Sequence, residues 1–193
     1  MMFFKKKPLN INSGSNDLIR KAYCLLMYSH GIAIIEKQRL SEKYPELELN
    51  LKGTEFDCMC IVGACYAANR KVGGFGNEKL IKEIDFIILT CLKIWNDALL
   101  DIYFKYADSI QLKVKSANRA KSPDYNIKWA VGSEILEALG FESTAYEDLV
   151  QELGKIFGTD FLNYWSIPLA DLEPFQMDDF NLESLLKIVQ GEK

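Results

Sequence analysis

The sequence predicts a mainly α-helical fold of five or six helices around a buried central helix. Three observations lead to this prediction. Apolar residues recur at helical spacing along most of the chain. Capping residues stand where these periodic segments begin, and glycines stand where they end. Two shorter segments alternate apolar and polar residues, and they add a small two-stranded β-ribbon to the prediction.

The composition is that of a single globular domain. Of the 193 residues, 49% are hydrophobic and 26% are charged, an ordinary balance for a folded chain. We therefore predict one helical domain over residues 1–193. Residues 1–14 form an N-terminal arm in this prediction, and residues 160–193 form an acidic, aromatic C-terminal segment.

The first two helices follow from caps and apolar periodicity. The first begins at Ser15 or Asn16 and extends to about Leu40. The second begins at Thr54 with a pattern that resembles a capping box, and it extends to about Val72, where two glycines follow.

The third predicted helix is the longest. It begins near Asn77 and continues at least to Asp108, which makes it more than thirty residues long. At this length it is expected to be the main support of the fold.

The β-ribbon comes from the segments PELELNLK and IQLKVK, which alternate apolar and polar residues as a half-buried strand does. The pairing places opposite charges across the two strands. The facing residues are Glu46 and Glu48 on one strand and Lys113 and Lys115 on the other. In the competing interpretation, IQLKVK simply continues the third helix, because its apolar residues also fit helical spacing.

The fourth helix has signals at both ends. Ser122 is placed to act as N-cap, and Pro123 occupies the first helical position. Gly140 ends the helix, and Phe141 follows at the position where a Schellman turn packs a hydrophobic side chain against Leu136.

Two further helices are predicted after it. Thr144 and Glu147 have capping-box spacing and start a fifth helix that stops before Gly158. A last helix is predicted from about Asn181 to Gln190.

The cysteine-rich stretch CMCIVGAC, residues 58–65, is predicted to fill the core. On a helix, Cys58 and Cys65 are separated by roughly 10 Å of rise, too far for a disulfide. Cys60 lies on nearly the opposite face from Cys58, so the three thiols do not converge on one metal ion. We predict no metal site and no cofactor. The odd number of five cysteines favours reduced thiols and a cytoplasmic location.

Membrane and nucleic-acid functions are not expected. The most apolar window, residues 84–104, contains Asp85, Lys93, Asp97 and Asp101, which oppose a membrane span. The chain has a net charge of -4, and an acidic surface repels a phosphate backbone. We also predict no catalytic residues, because the single histidine, His30, has no identifiable nucleophile or third partner.

The acidic C-terminal third supports the main functional hypothesis. Residues 134–193 contain 13 Asp and Glu but only 3 Lys and Arg, with large aromatic residues between them. Aromatic anchors and steering carboxylates suit the binding of a basic partner. We therefore expect a non-enzymatic protein-binding module of the inhibitor, immunity-protein or adaptor type. Its predicted contact residues are Trp165, Asp171, Glu173, Phe175, Asp178 and Asp179.

Two alternatives stay open. In the first, the C-terminal aromatic rings dock this segment onto the helical body. In the second, the protein is an enzyme or a binder of a small molecule or anion. Its site would then lie between helices near the glycine-rich residues 70–79, where backbone amides at a helix start can hold an anion.

Overall fold

The computed structural model describes residues 16–47, 51, 54–73, 78–95, 97–117 and 121–172. Within these ranges the chain forms six α-helices and no strand. The helices are α1 (Asn16–Lys43), α2 (Thr54–Gly73), α3 (Glu78–Trp95), α4 (Ala98–Ser116), α5 (Pro123–Ala138) and α6 (Glu147–Phe157). Short 3-10 helices cover Pro45–Leu47, Thr159–Phe161, Tyr164–Ser166 and Leu169–Asp171. The predicted mainly α fold is confirmed.

Helix α2 is the buried centre of the fold. It contacts each of the five other α-helices. All residues from Cys58 to Cys65 are buried, as a helix that is apolar on every side requires. The prediction that these cysteines fill the core is therefore confirmed. Burial raises the pKa of the Cys58 thiol to about 11.

Helix α1 begins at Asn16 as predicted and extends three residues beyond Leu40. Among the described residues it is the one helix long and apolar enough to cross a membrane. Of its most apolar window, 56% is buried against the other helices. Core helices of soluble proteins have the same properties, so this is weak support for a span.

The prediction of one long third helix is wrong. Helix α3 ends at Trp95, and α4 begins at Ala98. Glu78 at the start of α3 and Gln111 near the end of α4 line the same cleft. In a continuous helix these two residues would be about 50 Å apart, so the chain reverses between them. Asp97, the N-cap residue of α4, belongs to a residue type that favours turns and caps over helix interiors.

The predicted β-ribbon is also wrong. Residues 110–115 belong to α4, and residues 45–47 form a 3-10 helix; residues 48–50 lie outside the described part of the chain. Lys113 pairs with Glu134 at 2.8 Å and with Glu137 at 2.6 Å, both on α5. Alternation over six residues cannot distinguish a strand from a helix when apolar residues also lie four positions apart, on one face of a helix.

The ends of α5 agree with the sequence prediction. The Ser122 hydroxyl accepts a hydrogen bond from the Tyr125 amide at 3.1 Å. At the other end Gly140 has φ of 82°, and the Phe141 amide donates to the Leu136 carbonyl at 3.1 Å. This is the predicted Schellman turn.

Helix α6 begins at Glu147, two residues later than an N-cap at Thr144 predicts, and the predicted capping box does not form. The N-cap is Tyr146, whose side chain makes no capping hydrogen bond, and Thr144 lies in the preceding turn. The predicted last helix, Asn181–Gln190, lies outside the described residues.

Helices α5 and α6 run antiparallel with their backbones in contact. A Cβ atom at Gly132 would lie 1.9 Å from the Val150 carbonyl oxygen. A Cβ atom at Gly154 would lie 1.8 Å from the Lys128 carbonyl oxygen. Both distances are far inside van der Waals contact, so the close approach of the two helices requires glycine at both positions.

Candidate functional site

A cleft of about 710 Å³ lies between α2, α3 and α4. Each helix contributes one face, because the lining residues recur three or four positions apart. On α3 these residues are Glu78, Ile81, Asp85 and Leu89. The face that α4 contributes includes Tyr103, Phe104, Asp108 and Gln111, and α2 contributes Tyr66, Asn69 and Arg70.

The cleft combines apolar walls with charge. Among the lining residues that the structure describes, the charged ones are three carboxylates, Glu78, Asp85 and Asp108, and one guanidinium, Arg70. Glu78, Asp108 and Arg70 are exposed, whereas Asp85 is half-buried. A ligand in the cleft would therefore meet a negative potential, with Asp85 as the least hydrated charge.

Asp85 has a defined hydrogen-bond partner. The side-chain amide of Asn69 donates from Nδ2 to Asp85 Oδ1 at 2.8 Å. Burial raises the pKa of Asp85 above its usual value, and the hydrogen bond from Asn69 partly opposes this rise. A half-buried carboxylate with a raised pKa in a cleft is a frequent feature of functional sites.

The orientation of Asn69 is fixed from its other side. Trp165 donates its indole Nε1–H to Asn69 Oδ1 at 3.2 Å. An indole N–H can only donate, and an ionised carboxylate can only accept. The amide of Asn69 must therefore turn its oxygen toward Trp165 and its nitrogen toward Asp85. Trp165 acts through Asn69 as a positioning residue for the acidic group of the cleft.

The segment that carries Trp165 is held against α1. Lys21 Nζ donates to the Trp165 carbonyl at 3.3 Å and also to the Ile167 carbonyl. In the opposite direction, the Tyr164 hydroxyl donates to the Lys21 carbonyl at 2.8 Å. Phe161, Tyr164 and Trp165 are all buried. The described part of the C-terminal segment is thus docked on the helical body by its aromatic rings.

Two of the six predicted contact residues for a partner lie in the described part of the chain. Trp165 is only 3% exposed and belongs to the core, while Asp171 is exposed in the last described 3-10 helix. The others, Glu173, Phe175, Asp178 and Asp179, lie outside the described residues. For Trp165, the structure agrees with the alternative in which the rings dock the segment.

The glycine-rich region was the predicted location of an alternative site. Residues 74–77 lie outside the described part of the chain, but Arg70 before them and Glu78 after them both line the cleft. Asn69 and Asp85 were not among the site residues predicted from the sequence. The sequence contains one signal for Asp85, which is an aspartate within the apolar segment IDFIIL. A charged side chain in such a segment requires a polar partner or contact with water.

His30 lies apart from the cleft. Its ring packs edge-on against Trp95 with centroids 4.8 Å apart. Nδ1 is buried and has no hydrogen-bond partner among the described residues, and burial lowers the pKa of the ring. Edge-on packing against Trp95 in a partly buried position is the environment of a structural histidine.

The described residues contain no group of three His, Cys, Asp or Glu side chains able to hold a metal ion. No protein-family model, no curated protein and no solved structure matches this chain. The chemistry of the cleft is therefore the basis on which a function can be proposed.

Proposed function

We propose that this protein binds a small organic cation, a protonated amine joined to an apolar or aromatic group, in the cleft between α2, α3 and α4. The observation that carries the proposal is the position of Asp85. This carboxylate is half-buried in a cleft of about 710 Å³ and oriented by Asn69.

The size and lining of the cleft suit a small molecule. Ligand pockets have volumes of about 300–1,000 Å³ and combine apolar walls with a few placed polar groups. Ile81, Leu89 and Phe104 supply apolar surface here, and Tyr66 adds an aromatic ring. A ligand with a hydrocarbon or aromatic portion would bury these surfaces from water.

The charge favours a cation. Asp85 loses hydration on burial, and its only described hydrogen bond comes from a neutral amide. An ammonium group would satisfy the carboxylate by a charge-assisted hydrogen bond and would lower its raised pKa. Glu78 and Asp108 add to the negative potential at the rim.

The experiment is a calorimetric titration with phenethylamine and its longer homologues, compared with the matching uncharged alcohols. We expect the amines to bind and the alcohols to bind at least about tenfold more weakly. Asp85→Asn should remove the preference for amines. The matched control is Asp101→Asn, an exposed aspartate on α4 outside the cleft lining, which should bind like the wild type. If no amine binds, or if Asp85→Asn binds as the wild type does, the proposal is wrong.

A second candidate function is the capture of a basic protein partner by the acidic C-terminal segment. It is supported by the charge of residues 134–193, where 13 acidic residues outnumber 3 basic ones. Its test is affinity purification with the wild type and with a variant in which Asp171, Glu173, Asp178 and Asp179 become Asn or Gln. Loss of a partner in the variant would support it, and equal recovery would contradict it.

A cytoplasmic location remains part of the proposal. It is supported by the five free, buried cysteines, which suit a reducing compartment.

A further inference from the structure

A second cavity, of about 300 Å³, lies between α2, α4 and α5. It is lined by Arg70, Val114, Lys121, Pro123 and Asn126. Arg70 also lines the larger cleft, so the two spaces are neighbours. On α4, Gln111 lines the cleft and Val114 lines the second cavity, which places their Cα positions about 4.5 Å apart along the helix axis.

The chemistry of the second cavity is opposite to that of the cleft. Its described lining contains a guanidinium, an ammonium and a side-chain amide, and no carboxylate. None of the ion pairs among the described residues includes Arg70 or Lys121. Asp124 is a neighbour in sequence, but it is exposed and not part of the lining. Both cationic groups are thus available to a ligand.

We propose that this second cavity binds an anionic group, a phosphate or a carboxylate. The planar guanidinium of Arg70 can donate two parallel hydrogen bonds to either group. Lys121 adds a second positive charge, and it lies over the ring of Tyr125 at 5.1 Å, which limits its freedom. Asn126 can donate from its amide. The volume holds the anion together with part of the molecule that carries it.

This anion site depends on its own lining residues and does not require an amine in the cleft. The shared position of Arg70 nevertheless allows one molecule with both an amine and an anionic group to occupy the two spaces together. The carboxylates of the cleft would repel the anionic group of such a molecule and attract its ammonium group. The ammonium group would therefore lie in the cleft, and the anionic group would lie in the second cavity.

The test is a titration of the full chain with inorganic phosphate and, separately, with acetate at constant ionic strength. We expect saturable binding of at least one of them. Arg70→Gln and Lys121→Gln should each weaken it by about fivefold or more. The matched control is Lys82→Gln, an exposed lysine on α3 outside both linings, which should leave the affinity unchanged. Thermal denaturation of each variant checks that the fold is retained.

The outcomes separate the possibilities. Binding of phosphate alone assigns a phosphate site, and binding of acetate alone assigns a carboxylate site. If neither anion saturates, or if Lys82→Gln weakens binding as much as the other two variants, the inference is overturned. Amine binding without anion binding would defeat this inference alone, whereas anion binding without amine binding would defeat the proposed function alone.

Discussion

The two antiparallel helix pairs of this protein, α5–α6 and α3–α4, differ in how closely their helices approach. Both pairs contact α2. Gly132 and Gly154 let the backbones of α5 and α6 touch. Helices α3 and α4 instead carry residues such as Ile81, Leu89 and Phe104 on their facing sides, and a cleft of about 710 Å³ remains between them.

The difference indicates a division of roles. A pair in backbone contact has no room for a ligand, but it gains dense packing, which stabilises the fold. A pair that leaves a cleft gives up part of that packing and can place a half-buried carboxylate, Asp85, where a ligand can reach it. Functional sites commonly reduce stability in this way. The predictions for Gly154, Trp165 and Asp85 test this division, and the prediction for Lys113 tests the ion pairs that join α4 of one pair to α5 of the other.

The largest effect is expected at Gly154. Gly154→Ala places a methyl group 1.8 Å from the Lys128 carbonyl oxygen, so α5 and α6 must separate. We expect the free energy of unfolding to fall by about 3 kcal/mol or more. Chemical denaturation measures it. The control is Gly140→Ala, where φ is 82° but no atom lies within 4 Å of the new methyl group; it should cost only about 1 kcal/mol. Equal losses would contradict the close-contact account.

A smaller loss is expected at the ion pairs that join α4 to α5. Lys113→Met removes the partner of Glu134, whose side chain is 9% exposed. An unpaired carboxylate in this position should lower the free energy of unfolding by about 2 kcal/mol. Lys115→Met, on the exposed side of α4, is the control and should change it little. The double variant Lys113→Met, Glu134→Met should recover most of the loss, and no recovery would count against this explanation.

Trp165 should show a modest effect on stability and a clear effect on binding. Trp165→Phe keeps most of the buried ring but removes the hydrogen bond to Asn69. We expect a loss of about 1 kcal/mol in the free energy of unfolding. Because Asn69 can then turn away from Asp85, amine affinity should also fall. Unchanged affinity for phenethylamine would show that Trp165 has a purely structural role.

Asp85→Asn should leave stability unchanged or raise it. Burial raises the pKa of Asp85 in the folded state above its unfolded value, so the ionised group opposes folding at about pH 7. This penalty disappears as pH falls through the raised pKa, because the folded state then takes up the proton more readily. Denaturation at several pH values should therefore show that the free energy of unfolding of the variant increases relative to that of the wild type as pH rises from about 4 to 7. A large loss at neutral pH would make Asp85 a structural residue.

Local sequence signals predicted much of the α5–α6 pair and of the central helix α2. The Schellman turn at Gly140 and the buried run from Cys58 to Cys65 depend on residues close together in the chain, so their patterns were sufficient. The contact at Gly132 and Gly154 was not predicted, because a glycine within a helix does not identify the backbone that approaches it.

The α3–α4 pair was harder to predict for a physical reason. Apolar periodicity continues across Asn96 and Asp97, so it does not reveal the reversal between α3 and α4. The cleft depends on how far apart tertiary packing holds those helices. Asp85 and Asn69 are sixteen positions apart on different helices, and no short motif joins them.

The most direct test of the division between the two pairs is a ¹H–¹⁵N correlation spectrum of the full chain titrated with phenethylamine. We expect saturable shifts at the amides of Asp85, Phe104 and the side chain of Asn69, all at the cleft between α2, α3 and α4. The chemical shifts of the Gly132 and Gly154 amides should not change, because the contact between α5 and α6 leaves no space for the ligand. Shifts centred on α5 and α6, or no saturable shifts at the cleft, would contradict the account.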